Sequence, residues 1–204
     1  MKVGIIDYGV GNLFSLRSSL AAIGQDVVVS SEPDVLRSAD HILLPGVGAF
    51  EDAVKKLRDS HLDEMVYEAV KEGKPLMGIC LGMQMLFEKS LEYGEHEGLG
   101  LLKGQVIPMA GLIPEDLKVP HMGWNALNLT QPQGRLFRNT KEGDYVYFVH
   151  SYFADGCADS LAARTEYGAW LTAAVEKDNV FGCQFHPEKS GEAGLQILRA
   201  FCAV

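Results

Sequence analysis

The sequence predicts an α/β protein: an open, mostly parallel twisted sheet with helices on both faces, to which antiparallel strands are added in the C-terminal half. Three observations predict it. Short apolar runs alternate with helix-period stretches through the first half, as βαβ units require. Further on the period shortens to two, as in Tyr145-Val146-Tyr147-Phe148-Val149, the pattern of strands with one face covered. No internal repeat, low-complexity tract or long linker divides the 204 residues, so the chain reads as one domain over residues 1–204.

Val3 to Ile6 reads as the first strand, followed by a glycine turn, Gly9-Val10-Gly11. Leu13, Leu16, Leu20 and Ile23 recur at helical spacing, and Gly24 is placed to end that helix. Val27 to Val29 resumes a strand. Ile42 to Leu44 is the next, stopped by Pro45-Gly46-Val47-Gly48, with helices expected around Val54 and Leu57 and from Leu62 through Val70. Lys74-Pro75 opens a buried strand over Leu76 to Ile79, which runs into Cys80-Leu81-Gly82 and an apolar helical stretch from Met83 to Phe87. Val180 to Phe185 is strand-like, and Glu192 to Val204 closes the chain as a helix with Leu195, Leu198 and Phe201 inward. The stretches 88–98 and 131–143 are expected to hold the weakest order.

Composition bounds the function. Hydrophobic residues at 47% and charged ones at 22% suit a chain that buries a core, which sets disordered and fibrous classes aside. A net charge of −9 argues against a nucleic acid or a membrane as the main partner, because both are met by basic faces. Four cysteines without a Cys-x-x-Cys pair fit neither a zinc site nor a disulfide framework and point to a reducing, cytoplasmic setting. No run approaches the roughly 18 apolar residues of a membrane span, and Met1 to Asp7 turns polar too soon for a secretion signal. No metal or cofactor is expected. Gly9-Val10-Gly11-Asn12-Leu13-Phe14 falls short of a dinucleotide fingerprint because Phe14 stands where the third glycine belongs.

The chemistry concentrates in two segments. Gly78-Ile79-Cys80-Leu81-Gly82 has the spacing of a nucleophile elbow, in which small residues two before and two after the nucleophile let a strand turn sharply into a helix. A thiol there meets unpaired backbone N–H groups that favour thiolate and can stabilise an oxyanion. The same spacing also suits a cysteine that is only a small buried hydrophobe. A cysteine nucleophile needs a base and a group to orient it. Gln184-Phe185-His186-Pro187-Glu188 offers both, with His186 at the end of a strand and Glu188 two residues on, on the same face if the backbone stays extended. Alone, His-Pro-Glu reads as a capping or surface histidine beside a solvated charge; alongside Cys80 it reads as catalytic. Pro45-Gly46-Val47-Gly48 can supply a second oxyanion donor or be a plain tight turn.

Gly78-Ile79-Cys80-Leu81-Gly82-Met83-Gln84 together with Gln184-Phe185-His186-Pro187-Glu188 resembles the triad class of glutamine amidotransferases, whose fold is flavodoxin-like. Asp7-Tyr8-Gly9-Val10-Gly11-Asn12-Leu13, Pro45-Gly46-Val47-Gly48-Ala49-Phe50, Pro120-His121-Met122-Gly123-Trp124-Asn125, Phe148-Val149-His150-Ser151-Tyr152 and Lys189-Ser190 narrow the resemblance to the glutaminase subunits of imidazole glycerol phosphate synthase. It implies that Cys80 attacks the side-chain amide of glutamine, that His186 shuttles the proton and that Glu188 holds the imidazole. It also implies an oxyanion hole built from the backbone of Leu81 with Val47 or Gly48. Gly46, Gly48, Gln84, Glu92, Ser151 and Tyr152 would hold the substrate. The implied partner is a (β/α)8-barrel synthase subunit that accepts the ammonia, docked against Asn12, Met122, Trp124, Asn125 and Lys189. His121 and His150 are open to either a structural or a partner-sensing reading. Delivery of ammonia to a different acceptor and a binding module without catalysis are the competing readings; an intact Cys80, His186 and Glu188 weighs against the second.

Overall fold

The structure, a computed structural model, describes residues 1–131 and 134–204. Its first half is a βα alternation: β1 (Lys2–Ile6), α1 (Leu13–Ala22), β2 (Asp26–Ser30), α2 (Pro33–Arg37), β3 (His41–Gly46), α3 (Phe50–Asp59), α4 (Leu62–Lys71), β4 (Leu76–Cys80) and α5 (Leu81–Met85). The rest is mainly strands: β5 (Phe87–Ser90), β6 (His96–Glu97), β7 (Leu102–Pro108), β8 (His121–Ala126), β9 (Asn128–Leu129), β10 (Tyr145–His150), β11 (Tyr152–Asp155), β12 (Leu161–Glu166), β13 (Trp170–Lys177) and β14 (Val180–Cys183). A 3-10 turn (Pro187–Lys189) and α6 (Gly191–Cys202) follow.

The main sheet has eight strands in the order β2-β1-β3-β4-β14-β13-β12-β9. β2, β1, β3, β4 and β14 are parallel; β13, β12 and β9 continue the sheet antiparallel. Two smaller sheets, β10-β8 and β11-β7-β5-β6, carry the remaining strands. Side chains of the central strands alternate between two cores. Val3, Ile5, Leu43, Met77 and Ile79 pack with Leu16 and Leu20 of α1 and Ile197, Leu198 and Phe201 of α6. Ile6, Ile42, Leu44 and Leu76 pack on the opposite face against Leu36, Leu57, Met65 and Ala69 of α2, α3 and α4. Helices therefore cover both faces, which is why β3 and β4 are buried along their whole length.

Several local readings change. β3 runs through Pro45 to Gly46 rather than stopping at Leu44: it pairs with β4 as far as Gly46↔Cys80, while its pairing with β1 ends at Leu43. The Ile42 N–H is directed at the β4 side, so by alternation the missing N–H of Pro45 falls on the side where β1 has already ended, and no ladder bond is lost. The helix expected from Met83 to Phe87 is the short Leu81–Met85 turn, and Phe87 already belongs to β5. In α6 it is Ile197 rather than Leu195 that is buried beside Leu198 and Phe201. Of the two stretches expected to be weakly ordered, 88–98 is tied by the ladder Lys89↔Glu97 and Ser90↔His96; in 131–143, Pro132 and Gln133 lie outside the described residues.

The strand-to-helix turn at residue 80 is set by contact between backbones. A Cβ on Gly82 would lie 1.8 Å from the Leu44 carbonyl oxygen, and one on Gly78 would lie 2.5 Å from the Gly82 carbonyl oxygen. Cys80, between them, is held at φ 55°, ψ −113°, a left-handed backbone that a side chain rarely adopts. We expect Gly82→Ala to destabilise the fold by about 3 kcal/mol through overpacking against a neighbouring strand. Urea denaturation measures this, and an unchanged midpoint would contradict the close approach.

Candidate active site

Strand alternation would send side chain 80 to the face shared by Leu76 and Gly78. The positive φ re-aims it, and Cys80 packs instead with the core on the opposite face. There its sulfur stands 3.9 Å from the Val149 carbonyl oxygen, to which the thiol is directed, and accepts the Gln184 Nε2–H at 3.7 Å.

The approach of His186 follows from how the chain leaves the main sheet. Gln184 N–H still donates to the Ala173 carbonyl (2.8 Å), one residue past the end of β14, but His186 N–H donates to Tyr147 O of β10 (2.9 Å). Ser190 locks this crossing, its hydroxyl donating to the His186 carbonyl (2.6 Å) and accepting the Tyr147 N–H (3.0 Å). His186 is extended, whereas Pro187 begins a 3-10 turn, so the expectation of an extended His-Pro-Glu is corrected. The turn, not strand alternation, brings Glu188 back: its Oε1 accepts the His186 Nδ1–H at 2.8 Å, and both side chains are buried.

Burial alone would favour a neutral His186 ring. The Cys80 sulfur and the Glu188 carboxylate outweigh it and raise the ring's pKa to about 9. With Nδ1–H committed to Glu188, Nε2 is the nitrogen left to face the sulfur, and it makes no well-formed hydrogen bond within the chain. At neutral pH the ring is therefore held protonated beside the sulfur.

Cys80 and His186 line one cleft of about 510 Å³. Val47, Gly48, Leu81, Gln84, Glu92, Ser151 and Tyr152 also line it. Glu92 is anchored: its Oε2 accepts the Phe50 N–H at the start of α3 at 2.7 Å. Gln84 donates through Nε2 to Tyr152 O (3.1 Å) and to Gln184 Oε1 (3.0 Å). Glu188 stands behind His186 rather than on the wall. Gly46 lies in β3, where an added Cβ would meet Gly82 N and the Tyr8 hydroxyl at 2.8 Å, and it is not part of the cleft lining.

Sequence reasoning assigned no role to several groups here. Tyr93 and Val149 line the cleft, and Gln184 touches the sulfur. Period two marked Val149 as strand, but nothing local showed that a carbonyl of that strand faces Cys80. His121 and His150, left open above, form a directed chain. Ala126 N–H and Glu166 O fix the Asn125 amide; its Nδ2–H reaches His121 Nε2 (3.2 Å), His121 Nδ1–H reaches His150 Nε2 (3.0 Å), and His150 Nδ1–H reaches Tyr152 O (2.8 Å). Burial lowers these rings to about 4 and about 3, so both are neutral, as this direction of donation requires.

Residues singled out for docking fall into two groups. Met122 and Trp124 alternate onto one face of β8 and are exposed; Trp124 meets the Tyr147 ring edge-on, and the Lys189 ammonium lies 5.8 Å from the same ring. Asn125 has the opposite parity and is tied inward to His121 and Glu166. Asn12 precedes α1, whose neighbour Phe14 is strongly exposed, and α1 packs near the 3-10 turn that carries Lys189.

A sheet of this order with a cysteine elbow and a buried His–Glu pair at its rim defines a class, and the chain belongs to the class-I glutamine amidotransferase family, whose profile matches residues 4–203. Relatives match from end to end. A Bacillus velezensis protein is 52% identical over 202 residues (98% of this chain, 94% of the relative), and an Aquifex aeolicus protein is 47% identical over 203 (98% and 96%). Both are named imidazole glycerol phosphate synthase subunit HisH. The fold is similar to that of PurLQS from Thermotoga maritima (TM-score 0.76, 20% identity, 99% and 97% coverage) and of the glutaminase domain of Trypanosoma brucei CTPS (0.69, 16%, 100% and 94%).

Removing the sulfur removes the first of the influences that raise His186. In Cys80→Ala its titration should fall from about 9 toward the ordinary histidine value of about 6.5, as followed by NMR of the ring carbons. A titration still near 9 would show that the sulfur does not face the ring.

Proposed function

We propose that the chain, a single glutamine amidotransferase domain over residues 1–204, is the glutaminase subunit of an imidazole glycerol phosphate synthase. In histidine biosynthesis it hydrolyses glutamine to glutamate and passes the ammonia to a (β/α)8-barrel synthase subunit in a heterodimer. One observation carries the reading: a cysteine elbow and a buried His–Glu pair open on one cleft in a chain about half identical, over its whole length, to proteins of that name.

The geometry supports the following course. The Cys80 sulfur attacks the side-chain carbonyl carbon of glutamine, and the oxyanion forms toward the backbone of Leu81 and of Val47 or Gly48. The protonated His186, oriented by Glu188, gives its Nε2 proton to the departing nitrogen, and ammonia leaves behind a thioester. The ring, now neutral at Nε2, takes a proton from water, whose oxygen attacks the thioester to give glutamate and restore the sulfur. Glu92, anchored at α3, is suited to the substrate's ammonium group, with Gln84, Gly48, Ser151 and Tyr152 around the remainder.

Ammonia is mostly ammonium near pH 7, and ammonium is not a nucleophile, so the product is best delivered through a contact rather than released. The exposed Met122, Trp124 and Lys189 with Phe14 beside Asn12 support a docking face for the barrel; Asn125 would act there through His121 rather than by direct contact. The lyase step belongs to the partner. Unpaired cysteines and a biosynthetic role support a cytoplasmic setting. Among the described residues, no helix is long and apolar enough to cross a membrane.

Cys80→Ala should abolish glutamate formation in the complex while retaining partner binding, and Glu188→Gln should lower kcat by about a hundredfold or more with little change in KM. A glutaminase assay with the barrel subunit decides; turnover near wild type in either variant would remove that residue from the mechanism. Trp124→Ala should weaken the complex by about 2 kcal/mol, roughly thirtyfold in Kd by calorimetry. Unchanged affinity would move the docking face elsewhere.

A further inference from the structure

The amide of Gln184 is buried and engaged on both sides, although nothing above assigns it a role. Its orientation follows from groups that cannot be reversed. The Tyr152 carbonyl can only accept, so the Gln84 atom that faces it is the amide nitrogen (3.1 Å). The same nitrogen meets Gln184 at 3.0 Å, so the Gln184 atom there is the oxygen. That leaves the Gln184 NH2 group facing the Cys80 sulfur at 3.7 Å. A flipped Gln184 would set two NH2 groups against each other and leave the sulfur opposite a carbonyl oxygen.

We propose that Gln184 is a positioning residue for the nucleophile: oriented by Gln84, its amide donates a hydrogen bond that holds the Cys80 sulfur at the cleft and grows stronger as that sulfur gains negative charge. Hydrogen bonds to charged acceptors are roughly twice as strong as those to neutral ones. The contact therefore favours the sulfur both when it gives up its proton and when it leaves the thioester. Val149 O cannot do this, since a carbonyl accepts from the thiol but repels the anion. The arrangement gives Gln84 a second duty, as the group that aims Gln184.

The inference rests on Cys80 being the nucleophile. The titratable groups near the sulfur are Tyr8 following β1, Cys183 of β14, His186 with Glu188 behind it, and His150 of β10 beyond His186. All of them stay in place in the variants below. Gln184→Met keeps the side chain's length without an amide; Gln184→Glu keeps an acceptor for Gln84 but sets an oxygen where the N–H donor stood. The rate of Cys80 alkylation by iodoacetamide is measured on the full chain across pH, read by mass spectrometry of the Cys80 peptide, with thermal melting to establish folding.

We expect Gln184→Met to react about tenfold more slowly at pH 7, the size of one hydrogen bond to a charged group. Its profile should be displaced to higher pH, and Gln184→Glu should be displaced further. Folded variants that react along the wild-type profile overturn the proposal. A second measurement leaves residue 184 untouched: in Cys80→Ala the Gln184 side-chain amide loses its acceptor, so its proton resonance should move upfield and its exchange with deuterium should accelerate. An amide unmoved by loss of the sulfur also overturns the proposal. The nucleophile reading fails differently, through glutamine hydrolysis by a complex whose Cys80 is fully alkylated.

Discussion

The site depends on the place where two parallel strands, β3 and β4, and the first turn of α5 bring their backbones into contact. The Leu44 carbonyl of β3 occupies the space that a side chain at 82 would need, and Gly82 in turn presses on Gly78 of β4. Between them Cys80 is held in a left-handed conformation whose cost is of order 1–3 kcal/mol, tolerable only because the neighbouring strands over-determine it. The strain has a use. It overrides the alternation of the strand and turns the sulfur toward the face of the sheet from which β14 departs and to which β10 presents its Val149 carbonyl. An unstrained strand would have buried the same sulfur against α5.

Two histidines of similar burial take opposite charge states at this rim, and their partners explain why. Desolvation pushes both rings toward the neutral form. His186 faces a carboxylate on one side and the sulfur on the other, and these outweigh burial. His150 faces a carbonyl and another histidine, which supply no negative charge, so burial prevails and the ring stays below its ordinary range. The first is held protonated. The second, with His121 and Asn125, is a rigid spacer whose direction of donation is fixed from Ala126 N–H to the Tyr152 carbonyl.

How much of this was legible in the sequence divides along the reach of each signal. The parallel half was readable because βαβ units declare themselves through local period, and the elbow because steric need for glycine is itself local. β13 was harder: Trp170–Lys177 is buried along nearly its whole length, so it lacks the polar alternation that marks a half-covered strand. The short α2 and the reassignment of Phe87 were decided by packing rather than propensity. His186 and Glu188 were found, but for an incomplete reason, because Pro187 starts a 3-10 turn instead of ending an extended run. Gln184 had no signal of its own. Its role depends on Gln84 and Tyr152, which the fold supplies from a distant part of the chain.

The β8–β10 ribbon joins the two activities that such a subunit needs. Its strands pair Met122 with Val149 and Trp124 with Tyr147, so these side chains share a face, while His121 and His150 pair toward the core. The exposed face therefore lies on the same two strands that present the Val149 carbonyl to the sulfur and carry the histidine chain to Tyr152, and through it to Gln84. Backbone hydrogen bonds within the ribbon are stiff compared with side-chain contacts, so Met122 and Val149 cannot shift independently. A partner seated on Met122 and Trp124, as proposed above, would bear on the strands that carry the Val149 carbonyl without touching the cleft.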